Sequence, residues 1–101
     1  MDREEYMELA LQLAREAAKA GEVPVGCVIA DENGKIIGSG RNRREEEHDA
    51  SAHAEMEAIR MACDAVGDWR LSGCTIFVTL EPCPMCAGAM VMAHLERCFF
   101  A

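Results

Sequence analysis

Two short segments carry residues suited to metal chemistry: His53-Ala54-Glu55, and Pro82-Cys83-Pro84-Met85-Cys86, with Cys83 thirty positions beyond His53. Together they read H-x-E…P-C-x-x-C. One imidazole and two thiolates make three soft or borderline donors. Three protein ligands with an open fourth position are what a catalytic zinc requires, whereas a closed structural site takes four. Sulfur and nitrogen donors favour zinc, one ion per chain. Pro84 suits the first position of a helix, which makes Cys83 its N-cap and Cys86 its third residue. Both sulfurs then project to one side, where free N–H groups and the positive helix end favour the thiolates that a metal needs.

Glu55 is the most diagnostic residue. At about 100° per helical residue it shares a sector with Ile59, Ala62 and Val66, while Glu57, Arg60 and Asp64 gather opposite. A carboxylate therefore points inward, where it is costly unless a metal, hydrogen bonds or a functional pocket compensates it. Beside a water activated by the metal, Glu55 could take a proton and deliver it to a substrate nitrogen. The hydroxide would attack an amidine-like carbon and release ammonia. The competing explanation is a coincidental C-x-x-C in a redox or structural role; the residue types, the inward glutamate and the two-helix placement weigh against it.

These side chains need elements to hold them. Asp2 and Glu5 occupy capping-box positions of a first helix with Tyr6, Leu9, Ala10, Leu13 and Ala17 at helical spacing, stopped by Gly21. VPVGCVIA, the turn DENG and KIIGSGRN predict a β-hairpin of residues 25–30 with 36–41. RNRREEEHDAS is too polar to pack and is expected as an exposed loop. A second helix is expected over residues 52–66, with Ser51 as a possible N-cap and Gly67 at its end. CTIFVTL predicts a buried strand, CPMCAGAMVMAHL a third helix and RCFFA the start of another strand. The order α-β-β-α-β-α-β implies an α/β sandwich, with crossover-linked strands parallel and the first hairpin antiparallel at the edge.

The 101 residues allow one domain, and 50% hydrophobic with 28% charged residues exclude a disordered tail. A net charge of −8 disfavours a basic nucleic-acid-coating module without excluding local contact. No run approaches a membrane span, and MDREEYMELA lacks the regions of a signal peptide, so the expectation is a cytoplasmic protein without membrane contact. In a reducing compartment six cysteines favour metal binding or burial over disulfides. Cys27, Cys63, Cys74 and Cys98, each single within an apolar segment, are expected as small buried hydrophobes.

HAE followed by TLEPCPMCAGAM resembles the zinc-dependent cytidine deaminase superfamily, whose known signature is this one. EVPVGCVI and GRNRREEEHDASAHAE are most similar to its bacterial tRNA adenosine deaminase branch. The resemblance implies that His53, Cys83 and Cys86 bind zinc and that Glu55 shuttles protons. It also implies that Asn42, the Ala54 backbone amide and the Pro24–Val25 segment line the substrate pocket. The implied fold is an α-β-α sandwich with a mixed sheet. Residues 1–101 would form the N-terminal two-thirds of the catalytic domain, without the family's last strand and C-terminal helices. The implied activity is deamination of adenosine to inosine at the wobble position of a tRNA anticodon loop, by a homodimer. Rival readings are a deaminase of free guanine, cytosine or deoxycytidylate, and a zinc-stabilised module or inactive fragment without catalysis.

Other residues carry weaker signals. His48 and His94 are expected as a loop histidine and a dipole-complementing histidine, outside the ligand set. Glu81, just before the Pro-Cys pair, could tune the site or, at least as readily, make a structural hydrogen bond at the strand end, and Asp49 suits a loop or capping role. Met85, Met90 and Met92 beside Ala87, Gly88 and Ala89 fit a dimer interface or core packing about equally. Arg41, Arg43 and Arg44 lie where an RNA backbone could approach, although Glu45, Glu46 and Glu47 follow at once.

Overall fold

The computed structural model describes residues 1–101. Helix α1 (Arg3–Lys19) begins at the expected capping box: the Glu5 amide donates to Asp2 and the Asp2 amide to the Glu5 side chain. It ends in a Schellman turn, with Gly21 at φ +80° and the Glu22 amide donating to the Ala17 carbonyl.

Strands β1 (Gly26–Ala30) and β2 (Ile36–Arg41) form the antiparallel hairpin. In its turn the Asp31 carboxylate accepts from the amides of Asn33 and Lys35. Then come a single helical turn, α2 (Arg44–Glu47), helix α3 (Ala54–Val66), strand β3 (Thr75–Val78), helix α4 (Pro84–Met92) and strand β4 (Arg97–Phe100).

The sheet order is β2-β1-β3-β4, with β1 antiparallel to both neighbours and β3 parallel to β4. The expected mixed sheet is present, with β2 at one edge. Alternation along the strands divides the core into two layers. Cys27, Ile29, Ile76 and Val78 pack with Ala54, Ala58, Ala62 and Met90 of α3 and α4. Val28, Ala30 and Phe77 face α1, where Phe77 stacks between Tyr6 and Phe99 at centroid distances of 4.7 and 5.4 Å. Each such aromatic contact contributes about 0.5–1.5 kcal/mol beyond its buried area. Helices on both faces complete the α-β-α sandwich.

Several expectations need correction. The segment after β2 is exposed but not plain loop, because α2 lies within it. Helix α3 starts at Ala54 with His53 as N-cap; the Ser51 hydroxyl instead donates to Asp49. Val66 is 46% exposed, since the last turn of α3 passes beyond the sheet. Cys98 is exposed and Cys63 only half-buried, so only Cys27 and Cys74 are the buried hydrophobes expected.

Close approach of α3 to β2 depends on glycine. A Cβ on Gly40 would lie 2.2 Å from the Ala54 carbonyl oxygen, at the first turn of α3. Gly40→Ala is expected to force the helix off the sheet at a cost of about 1–3 kcal/mol. Urea unfolding of zinc-loaded protein measures it, and a change within about 0.5 kcal/mol would contradict this packing.

Candidate metal centre and adjoining cavity

The carboxyl ends of β2 and β3 and the amino end of β1 open at the same side of the sheet, where helices α3 and α4 both begin. His53 and Cys83 are the two N-caps, and neither makes a side-chain capping bond. Their side chains are thereby free to meet across the gap, together with Cys86 in the first turn of α4. The imidazole Nδ1 of His53 lies 3.7 Å from Cys83 Sγ and 3.6 Å from Cys86 Sγ, and the three donor atoms all lie within 4.8 Å of one another.

That spacing can be tested against a metal. Tetrahedral zinc, with bonds of about 2.3 Å to sulfur and about 2.0–2.1 Å to nitrogen, separates a thiolate sulfur from an imidazole nitrogen by about 3.6 Å. The three side chains fit zinc with one position left open.

The electrostatics point the same way. Burial pushes the Cys86 thiol far above its ordinary value, and the Glu55 carboxylate and the neighbouring Cys83 add to the rise. Burial and Glu55 also raise Cys27, on β1. A cation among these groups offsets the cost of holding the sulfurs as thiolates.

Glu55, at the second position of α3, is 4% exposed and forms no ion pair with Lys, Arg or His. It lines a cavity of about 150 Å³ with His53, Ala54, Cys83, Asn42 and Val25, bounded by Val23, Arg44, Leu80 and Glu81. Every site residue inferred from the sequence except Cys86 and Pro24 therefore opens onto one hollow; Cys86 lies buried beside His53, and Pro24 lines a separate hollow against α1. The volume is small against the roughly 300–1,000 Å³ of sites for drug-sized ligands, and suits one flat heterocycle. A larger hollow of about 540 Å³, between α4 and β4, contains no donor of the metal cluster.

Asn42 is 5% exposed, and its Oδ1 accepts the Arg44 amide at 3.0 Å. With the oxygen committed, the NH2 group is the end left to donate. Arg41 pairs with Glu46, and Arg43 with Glu46 and Glu57, while Arg44 has no ion-pair partner. Glu81 is exposed at the rim and makes no side-chain hydrogen bond, contrary to the strand-end role expected. His48 and His94 both adopt positive φ, 51° and 60°, and end α2 and α4. Their position is fixed by backbone conformation, for which histidine is enriched. Glu22, buried at 6% exposure, went unnoticed in the sequence; nothing local to EVP marks its partners, which lie 23 and 24 residues on.

A three-layer α/β sandwich with a His-Cys-Cys cluster between two helix starts and a buried glutamate beside it defines a class of zinc-binding hydrolase-like domain. The family model for the cytidine and deoxycytidylate deaminase zinc-binding region matches residues 1–101, and the chain belongs to that family. It is 52% identical over 95 residues to the tRNA-specific adenosine deaminase of Bacillus subtilis (strain 168), an alignment covering 94% of this chain and 58% of the relative. The chain thus spans a little under three-fifths of that protein. Among solved structures, one from a study of A-to-I editing by tRNA:A34 deaminases superposes with a TM-score of 0.94 at 46% identity, covering 99% of this chain and 76% of that one. The guanine deaminase from Bacillus subtilis superposes at 0.95 with 40% identity, covering 100% and 64%.

Zinc uptake should be proton-linked. A thiol raised in the metal-free protein is protonated near neutral pH and must become thiolate on binding, so acid opposes uptake. Apparent zinc affinity is expected to fall about tenfold per pH unit for each proton displaced as pH drops from about 8 to 6. Competition against a chromophoric chelator measures this; a flat profile would show that the thiols are already ionised.

Proposed function

We propose that this chain is the catalytic part of a zinc-dependent hydrolytic deaminase that converts adenosine to inosine at the wobble position of a tRNA anticodon loop. In this reading His53, Cys83 and Cys86 hold the zinc, Glu55 carries protons, and Asn42, Ala54 and Val25 form the walls around the base. One observation carries it: a buried carboxylate with no cationic side chain paired to it shares a base-sized cavity with a three-donor metal cluster.

When bound, zinc supplies the Lewis acidity that makes a hydroxide nucleophile available near neutral pH. Glu55 takes the proton released by the attacking water and hands it to a ring nitrogen of the base, then assists protonation of the departing amino group. One C–O bond forms, one C–N bond breaks, and the water consumed appears as the new carbonyl and ammonia. Asn42 donates from its NH2 group to an acceptor on the substrate.

An anticodon loop presents an unstacked base, so no duplex need be opened. The likeness to the Bacillus subtilis tRNA-specific adenosine deaminase and to the tRNA:A34 deaminase structure supports this substrate. A tRNA substrate also accords with a cytoplasmic protein. The likeness to guanine deaminase and the net charge of −8 support the alternative, a free purine base.

Met85, Val91 and Met92 on α4 are 39%, 75% and 74% exposed, beside an apolar hollow lined by Ile59, Trp69 and Ala89. This face supports homodimerisation. Sedimentation of zinc-loaded protein should show a dimer at micromolar concentration, and a monomer would overturn it.

The decisive assay measures ammonia release from an anticodon stem-loop and, separately, from free adenosine, guanine and cytosine. Glu55→Ala should lower the rate by at least about 10²–10⁴-fold while zinc content stays at one per chain. Activity on free guanine or cytosine alone would reject the tRNA reading, and a Glu55→Ala variant of normal rate would reject the mechanism.

A further inference from the structure

The short helix α2 has an N-cap, Arg43, whose side chain caps nothing. An N-cap side chain ordinarily satisfies the amides of the second and third helical residues. Here those amides, of Glu45 and Glu46, donate instead to the two oxygens of Glu22, at 3.0 and 2.8 Å. The amide of the first residue, Arg44, donates to Asn42. Two side chains from outside the helix thus take all three free donors.

Glu22 sits at a junction. It follows the Gly21 turn that ends α1 and precedes Val23 and Val25, which line the cavity; its carboxylate grips α2, which follows Asn42, and the Asn42 amide is itself bonded to the Val25 carbonyl at 3.1 Å. A residue that only solubilised this turn would be exposed, whereas Glu22 is buried. Burying a carboxylate is costly, and here two charge-assisted bonds to backbone amides offset the cost.

We propose that Glu22 is a positioning residue that clasps α2 to the Glu22–Val25 segment, beside the backbone bond that joins Asn42 to Val25, and thereby fixes the direction of the Asn42 side chain. With the clasp closed, α2 holds the Arg44 amide against Asn42 Oδ1, and the Asn42 NH2 group stays available to the substrate. Arg44 is held at the rim with no acidic partner. The catalytic groups lie on α3 and α4 and are not in this linkage, so Glu22 governs how substrate is held rather than how fast it reacts. The consequence for catalysis rests on the deaminase reading; the clasp itself does not.

The test uses the whole zinc-loaded chain and two variants. Glu22→Gln sets an N–H donor against one of the two amides, and Glu22→Ala removes both acceptors without adding a donor. Amide hydrogen exchange at Glu45 and Glu46, followed by NMR, should accelerate about tenfold or more in both variants. Amides of α3 and α4 should keep wild-type rates, and zinc should stay at one per chain. With the anticodon stem-loop as substrate, KM should rise about tenfold while kcat stays within about twofold. Unchanged exchange at Glu45 and Glu46 would overturn the clasp. Accelerated exchange with unchanged KM, or a fall in kcat alone, would overturn its positioning role. A wild-type chain inactive on the stem-loop would count against the substrate reading, while the exchange measurement would still decide the clasp.

Discussion

The centre depends on two helix starts that meet without side-chain caps. His53 and Cys83 occupy positions where serine, threonine or aspartate would ordinarily satisfy the first amides, and both turn their side chains toward each other instead. Each helix gives up a cap contribution of about 1 kcal/mol and keeps a positive end facing the gap. The sheet makes the meeting possible: α4 crosses between parallel neighbours β3 and β4, and α3 lies against β2 at a distance only Gly38 and Gly40 permit. Metal chemistry and fold geometry are one constraint, because shifting either helix along the sheet separates the donors.

The same constraint has an electrostatic side. Cys86 and Glu55 are both nearly inaccessible, and their mutual influence raises the thiol. Burying acidic groups together destabilises a fold unless a cation joins them. Zinc is therefore expected to be part of the folded state's stability as well as its chemistry, with binding energy appearing as folding energy. The surrounding core is modest, with many alanines along α1 and α3, so a centre that ties two helices to the sheet carries unusual weight.

The ligand set, the inward glutamate and most elements were legible because their signals are local. The C-x-x-C spacing, Pro84 at a helix start, the Asp2–Glu5 capping box and the Asp31–Gly34 turn each act within one turn of chain. Helix α2 was not legible, since Arg-Glu-Glu-Glu has no apolar periodicity and its amides are satisfied by Glu22 from 23 and 24 residues away. Ser51 was a reasonable N-cap by residue type. His53 takes the position instead, while the Ser51 hydroxyl and amide bond to Asp49. Cys98, expected buried because it stands singly in an apolar segment, is exposed, since on the edge strand β4 it lines the open hollow beside α4.

A division of labour follows from where these residues sit. The groups assigned to the chemistry are placed by the regular starts of α3 and α4. Most other residues lining the cavity lie on irregular segments, 23–25, 42–44 and 80–81, whose shape depends on long-range bonds such as those of Glu22. Loops on a rigid scaffold can change what enters a cavity without moving the reacting groups. Structures superposing on this chain at TM-scores of 0.94 and 0.95 come from work on tRNA:A34 deaminases and on a guanine deaminase, in keeping with one scaffold that holds different cavities. The shared fold leaves the choice of base to the cavity walls, which in the proposed reading Glu22 and Asn42 set.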